Sequence, residues 1–220
     1  MELDSLLTRA RLVPVSVVSD ADKALPTLDH GIRRLAGEGT VVGRAVTVQS
    51  DGDLLSVMEG LEIAQAGDVL VIDASASPTV AVAGGLFATE AHRKGLSAIV
   101  VDGLVRDLET LRPLGFSMYA RGTCPRSGPA VAPPRTQLPI RCGGVEVHPG
   151  TLVLGDDDGL LVATPEQLDA VLAAAEAIHL REEAVLAKLR DGGSLFASMN
   201  FQEHRADVLA GTPSKLGFVV

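Results

Sequence analysis

An arginine and an aspartate stand side by side at Arg106-Asp107, three residues beyond the apolar run SAIVVDG (97–103). A carboxylate there is a hard oxygen donor that can hold a Mg²⁺-like cation, with water filling the remaining positions. A neighbouring guanidinium can grip a substrate oxygen. In open α/β sheets ligands gather beyond the carboxyl ends of the strands, where this pair would fall. The competing reading is a plain helix start, with Asp107 in the first turn and Arg106 paired locally. Asp102 reads as a turn residue. Glu109 reads as a helix-start residue, or as an acceptor that orients Arg106.

A second feature is AVAGGLFATEA (81–91), where two glycines precede an apolar helix. Bare backbone N–H groups at a helix start suit a carboxylate or phosphate, although Gly-Gly is also an ordinary tight turn. A third is GDDDG (155–159). Its spacing is not that of an EF-hand, and strand-like flanks make a hairpin turn the better reading. GEGTVVG (37–43) fits neither the dinucleotide loop nor the P-loop. His30, His92, His148, His179 and His204 show no paired-ligand spacing and read as surface or packing residues. Cys124 and Cys142 fit no zinc pattern and are expected to be free thiols.

The elements that would position these groups follow from periodicity and turn chemistry. Residues 4–10 suggest a short helix, and Ser19-Asp20-Ala21 a cap for the next one. VVGRAVTVQS (41–50) reads as a strand, 54–66 as a helix, and 68–75 as a second strand. A small-residue loop over 78–85 leads to a helix over 86–95 and a third strand over 97–103. Residues 143–164 read as two strands with a turn at the acid run. Pro165 opens a long helix to about Arg190, stopped by Asp191-Gly192-Gly193. This order predicts α/β layers around one core. Residues 1–193 are expected to form a single domain. The weakly patterned tail, 194–220, is expected to pack on it or on a neighbouring subunit.

Composition narrows the classes. The chain has 220 residues, 46% hydrophobic and 21% charged, which is a globular balance. Aromatics are only 3%, so a base-stacking platform is not expected. The net charge of −9 lacks the basic footprint of a nucleic-acid or anionic-membrane binder. No stretch reaches the ~20 apolar residues of a membrane span, and the N-terminus does not read as a signal peptide. A cytoplasmic protein is the expectation.

Several segments in order carry a resemblance: SDA (19–21), AGDVLVID (66–73), GGLFATEAHRKGLSAIVVDGLVRD (84–107), ARGTCP (120–125) and GGVEVHPGTLVLGDDDGLLV (143–162). The chain resembles the RraA-like family, which includes 4-hydroxy-4-methyl-2-oxoglutarate aldolases and the regulator of ribonuclease activity A. The resemblance implies a swivelling β/β/α-type fold with a C-terminal helical extension. It implies Mg²⁺ or Mn²⁺ held by Asp107, and a 2-oxo acid whose keto oxygen meets Arg106. The substrate carboxylate would lie on the backbone amides of Gly84, Gly85, Leu86 and Phe87. It also implies trimers or hexamers with sites between subunits, a neighbour's Glu183 (or Glu182) completing each site. The implied activity is pyruvate release through a metal-stabilised enolate, by retro-aldol cleavage or by oxaloacetate decarboxylation. A divalent cation and Arg106 would stabilise charge on the keto oxygen. No lysine Schiff base is then needed, and Lys23, Lys94, Lys188 and Lys215 all lie outside the pair.

One position departs from the family pattern. Many active members carry an acid where this chain has Gly85, thought to act on the proton of the cleaved hydroxyl. Decarboxylation needs no such step. Glu90, one turn along the helix, is a possible substitute. The alternative function is a non-catalytic regulator that binds a ribonuclease or another protein.

Overall fold

Alternation decides the architecture. In VLVID (69–73), Leu70 and Ile72 belong to one apolar cluster while Val69 and Val71 belong to another. Ile99 and Val101 against Ala98 and Val100 repeat the pattern one strand over. Side chains of a strand point alternately to its two faces, so a strand apolar at every position must be covered on both.

The computed structural model describes residues 3–219. In chain order these form α1 (Leu3–Ala10), α2 (Val15–Ala21), β1 (Arg33–Ala36), β2 (Val41–Gln49), α3 (Leu55–Ile63), β3 (Val69–Asp73) and β4 (Ala81–Ala83). There follow α4 (Gly85–Lys94), β5 (Ala98–Val105), α5 (Leu108–Leu114), β6 (Ser117–Thr123), β7 (Ile140–Cys142), β8 (Val145–Val147), β9 (Leu152–Asp156) and β10 (Gly159–Ala163). Then come α6 (Pro165–Arg190), a 3₁₀ turn (Leu195–Ser198) and α7 (Phe201–Leu209).

The main sheet runs β1-β6-β5-β3-β2-β9-β10, with β4 added alongside β5. Strands β2, β3, β5 and β6 are parallel neighbours, and β4 is parallel to β5. Strands β1, β9 and β10 pair antiparallel. One cluster joins the sheet to Val57 and Leu61 of α3, Ala88 and Ala91 of α4, and Leu111 of α5. The other joins it to Ile140 and Cys142 of β7, Val147 of β8, and Val153, Leu160 and Val162 of the β9–β10 hairpin. This is the layered α/β arrangement expected from the sequence, with strands on one face and helices on the other.

Contacts divide the chain into two units, Met1–Leu172 and Ala173–Val220. Within the second, the Phe196 and Phe201 rings meet at 5.0 Å between centroids. Asn200 there donates from Nδ2 to the Lys215 carbonyl and accepts from the Gly217 N–H. The tail thus holds an ordered helix, α7, that its weak pattern concealed. Among the described residues no helix is long and apolar enough to cross a membrane.

Several local readings need correction. Ser19-Asp20-Ala21 do not cap a following helix but close α2, which starts after Pro14. Asp22 follows in extended backbone, at φ −148° and ψ 103°, so the helix does not continue past Ala21. The loop expected over 78–85 contains β4, whose three residues are all buried. Such a short strand of small side chains shows no readable period. The region 143–164 holds three strands rather than two, although Asp157-Asp158 is the hairpin turn as read. Asp102 is not in a turn: β5 runs on to Val105 and Asp102 is buried within it. The glycine that suggested a turn, Gly103, is a close-approach site, where a Cβ would lie 2.9 Å from the Ala74 Cβ. Cys124 and Cys142 are both unbridged, as expected. His148 pairs with Glu146, and His92 packs edge-on to Phe116.

Candidate active site

Strand β5 delivers Arg106 and Asp107 to its carboxyl end, just before α5 begins. Asp107 sits in the left-handed region, at φ 64° and ψ 41°. Only Asp107 and Gln137 do so among the described non-glycine residues. This conformation costs a side-chain-bearing residue on the order of 1 kcal/mol, and such outliers concentrate at functional sites. Its Oδ2 accepts the Gly85 N–H at 3.1 Å and lies 3.5 Å from the Arg106 Nε. The two side chains remain 38% and 42% exposed. Asp107 is therefore the residue before α5 rather than one in its first turn, and its side chain makes no capping bond to that helix. Its bond goes to α4 instead.

The glycine pair has two separate uses. A Cβ on Gly84 would lie 2.8 Å from both the Arg106 Cγ and the Asp107 Oδ2, so the bare residue lets the pair approach the backbone. Gly85 opens α4, and its N–H is the one that meets Asp107. The N–H groups of Leu86 and Phe87 follow in the same first turn, where donors have no acceptor one turn back.

These groups edge a cleft of about 210 Å³. Its wall comprises Leu54 and Met58 at the start of α3, Ala81 to Ala83 of β4, then Gly84, Leu86 and Phe87, Arg106 and Asp107, and Ser127. Gly84, Leu86, Phe87, Arg106 and Asp107 thus gather as expected, while Gly85 lies just outside the lining. Sequence reasoning missed Leu54, Met58, β4 and Ser127. Their only signal was apolar or small character, which core packing explains equally well.

The other acids singled out in the sequence have different settings. A Cβ on Gly85 would fall 3.0 Å from the Thr110 Cγ2 and 3.1 Å from its Cβ, so Thr110 already fills the approach to that position. Glu90 accepts from the Arg93 Nε and Nη2 at 2.7 and 2.6 Å, and this bonding holds its carboxyl below the usual range. Asp102 pairs with Arg121 and accepts the Gly143 N–H at 2.6 Å. Glu109 is exposed in the first turn of α5. Glu183 and Glu182 lie on α6, within the second unit; Glu183 is exposed.

Among the described residues Asp107 is the only carboxylate lining the cleft. Among the described residues no three His, Cys, Asp or Glu side chains gather as a ready-made metal site. One exposed carboxylate in an open cleft fits Mg²⁺ or Mn²⁺ held chiefly by water and substrate oxygens.

Comparison with known proteins places these residues in a family. A profile described as RraA-like, Aldolase/RraA, matches residues 15–162. A Halalkalibacterium halodurans protein, provisionally named a 4-hydroxy-4-methyl-2-oxoglutarate aldolase, is 37% identical over 184 residues, 83% of this chain and 87% of the relative. A Thermus thermophilus protein named 4-hydroxy-4-methyl-2-oxoglutarate aldolase is 33% identical over 70% of this chain and 92% of its own. Among solved structures, the Streptomyces coelicolor RraAS2, described as an unusual member of the RNase ES inhibitor RraA family, superposes with a TM-score of 0.71. It is 29% identical, covering 81% of this chain and 94% of that one.

Proposed function

The chain belongs to the RraA-like family, and on that premise we propose that it is a divalent-metal-dependent lyase releasing pyruvate from a 2-oxo acid. The observation that carries the reading is the Arg106–Asp107 pair at the rim of a cleft, with Asp107 in strained backbone and its carboxylate bonded to the glycine-backed start of α4. The aldolase-named relatives support a lyase at the level of the family.

Each role follows from chemistry. Asp107 would hold the divalent cation. When bound, that cation supplies Lewis acidity toward the substrate keto oxygen. Arg106 donates to the same oxygen, where negative charge builds as the bond beyond carbon 3 breaks. The Leu86 and Phe87 N–H groups, at the positive end of α4, take the substrate carboxylate. Leu54, Met58 and Phe87 give the cleft an apolar wall beside these polar groups. A trimer or hexamer, with Glu183 or Glu182 of a neighbouring copy closing the site, belongs to the same proposal.

The reaction type turns on Gly85. Retro-aldol cleavage needs a base for the 4-hydroxyl proton. Gly85 brings none, and Glu90 is bonded to Arg93. Decarboxylation of a β-carboxylate loses CO₂ and needs no base, so it suffers less.

The test is pyruvate release from oxaloacetate and from 4-hydroxy-4-methyl-2-oxoglutarate, coupled to lactate dehydrogenase, with Mg²⁺ or Mn²⁺ and with EDTA. Arg106→Ala and Asp107→Ala are expected to lower kcat/KM by about 10²-fold or more without unfolding. Unchanged rates in both variants would sink the proposal. Absence of turnover from either substrate would favour the alternative, a protein-binding regulator, for which the RNase-inhibitor neighbour and the missing acid at Gly85 both speak.

A further inference from the structure

Ser127 stands apart in the cleft wall. Among the described residues it is the only uncharged side chain of the lining that can hydrogen-bond, and no group of the fold bonds its hydroxyl. Its backbone, by contrast, is firmly held. The Ala81 N–H donates to the Arg126 carbonyl and the Leu54 N–H to the Pro129 carbonyl, both at 2.7 Å. Ser127 lies between these two anchors and bridges Ala81 in parallel register. The next residue, Gly128, is pressed on the turn before α3: a Cβ there would fall 1.6 Å from the Gly52 carbonyl oxygen.

One buried carboxylate locks this arrangement. Asp53 is only 7% exposed. Its Oδ2 accepts the Val131 and Ala132 N–H groups at 2.8 and 3.0 Å, and its Oδ1 accepts the Leu55 N–H at 2.8 Å. These bonds, the Val131 one foremost, hold the carboxyl below its usual range, so it stays ionised. Asp53 thus fastens the segment after β6 to the start of α3, and Ser127 and Leu54 enter the cleft from the two sides of that joint.

Resting on the lyase reading above, we propose that Ser127 is a specificity-determining contact, donating its hydroxyl to the distal carboxylate of a dicarboxylic 2-oxo acid, and that Asp53 is the residue that positions it. Arg106, Asp107 and the α4 amides engage the first carboxylate and the keto oxygen. The second carboxylate of oxaloacetate or of 4-hydroxy-4-methyl-2-oxoglutarate needs another donor. The side chains of Leu54, Met58 and β4 offer none, and Ser127 offers one. A hydroxyl bonded to an ionised acceptor is stronger than a neutral pair. The cleft is open enough that the carboxylate keeps part of its water, so its desolvation costs little.

The experiment is calorimetric binding of three unreactive 2-oxo acids to the full chain with Mg²⁺ or Mn²⁺ present. 2-Oxoglutarate carries a distal carboxylate, 2-oxopentanoate has the same five-carbon backbone without it, and pyruvate has no distal group. Ser127→Ala is expected to weaken 2-oxoglutarate about 10-fold and to change the other two by less than about 2-fold. Asp53→Asn has one acceptor oxygen in place of two and should show the same selective loss, by about 3- to 10-fold. Adding Ser127→Ala to it should bring little further loss, because the two act through one contact. Ser56→Ala removes a bond to the Arg135 N–H farther along the same segment and should leave the preference unchanged. Gly128→Ala, which displaces the residue next to Ser127, is the substitute if Asp53→Asn misfolds. Equal weakening of all three ligands by Ser127→Ala, or no change in any, overturns the inference while the lyase reading stands on the binding that remains. Unchanged 2-oxoglutarate affinity in Asp53→Asn overturns the positioning role. If the wild type binds no 2-oxo acid, the lyase reading falls and takes the inference with it.

Discussion

Two arginine–aspartate pairs hang from the same strand, and they are built in opposite ways. Asp102 lies inside β5 with its side chain 5% exposed. One oxygen takes the Arg121 Nε and the other takes the Gly143 N–H. Arg121 also reaches Asp29 at 2.8 Å, and these carboxylates hold its guanidinium above its ordinary range. Five residues on, the Arg106–Asp107 contact is loose at 3.5 Å, and its carboxylate is far more exposed and stands on strained backbone. The first pair is saturated and ties β5, β6 and the segments around Asp29 and Gly143 together. The second keeps bonding capacity that the fold does not use. Unused, pre-positioned polar capacity in a cleft is what a ligand needs, so the contrast separates scaffold from site.

Substitutions can break that contrast. The largest stability effect is expected at the saturated pair. Asp102→Ala leaves the Gly143 N–H and one face of Arg121 unpaired and should cost roughly 2–4 kcal/mol. That is below the cost for a fully enclosed pair, because Arg121 keeps water contact. Denaturant unfolding measures it, and a loss under about 0.5 kcal/mol would remove the distinction.

Gly85 comes next. Gly85→Asp meets Thr110 and sets a second carboxylate near Asp107, at a cost of about 1–3 kcal/mol. Adding Thr110→Ala should recover part of this loss. It should also raise retro-aldol cleavage relative to oxaloacetate decarboxylation in the pyruvate assay. A single variant as stable as the wild type would show that Thr110 does not guard the position.

Asp107→Asn sharpens the comparison from the other side. It keeps a side chain suited to left-handed backbone and should shift stability by no more than about 0.5 kcal/mol while removing turnover. A large stability loss with activity retained would make the exposed pair structural.

The smallest effect is at the rim of the saturated network. The Arg121 side chain and the Gly31 N–H hold the Asp29 carboxyl below the usual carboxylate range. A depressed folded pKa contributes stability that is present above the unfolded value and lost as pH falls through the folded one. Asp29→Asn should therefore remove a small contribution at neutral pH, change little at pH well below the folded value, and so flatten the acid limb of the stability curve below about pH 4.

The exposed pair was legible because adjacency in sequence is adjacency in space. Arg106-Asp107 after an apolar run, the glycines before LFAT and the hairpin at Asp157-Asp158 are all local patterns, and each stands where it was read. Alternating apolar residues also determined the layered α/β order, since a strand's two faces are written two residues apart. Other properties have no local trace. Asp102 looked like a turn because its partners, Arg121 and Gly143, lie 19 and 41 residues away. β4 became a strand only by pairing with β5 and by receiving the Arg126 carbonyl at the Ala81 N–H. Leu54 and Met58 joined the cleft because α3 packs on the same sheet face as α4. Sequence periodicity sets which way a side chain points. Burial and charge saturation depend on what distant segments bring to meet it, and only the tertiary structure decided that.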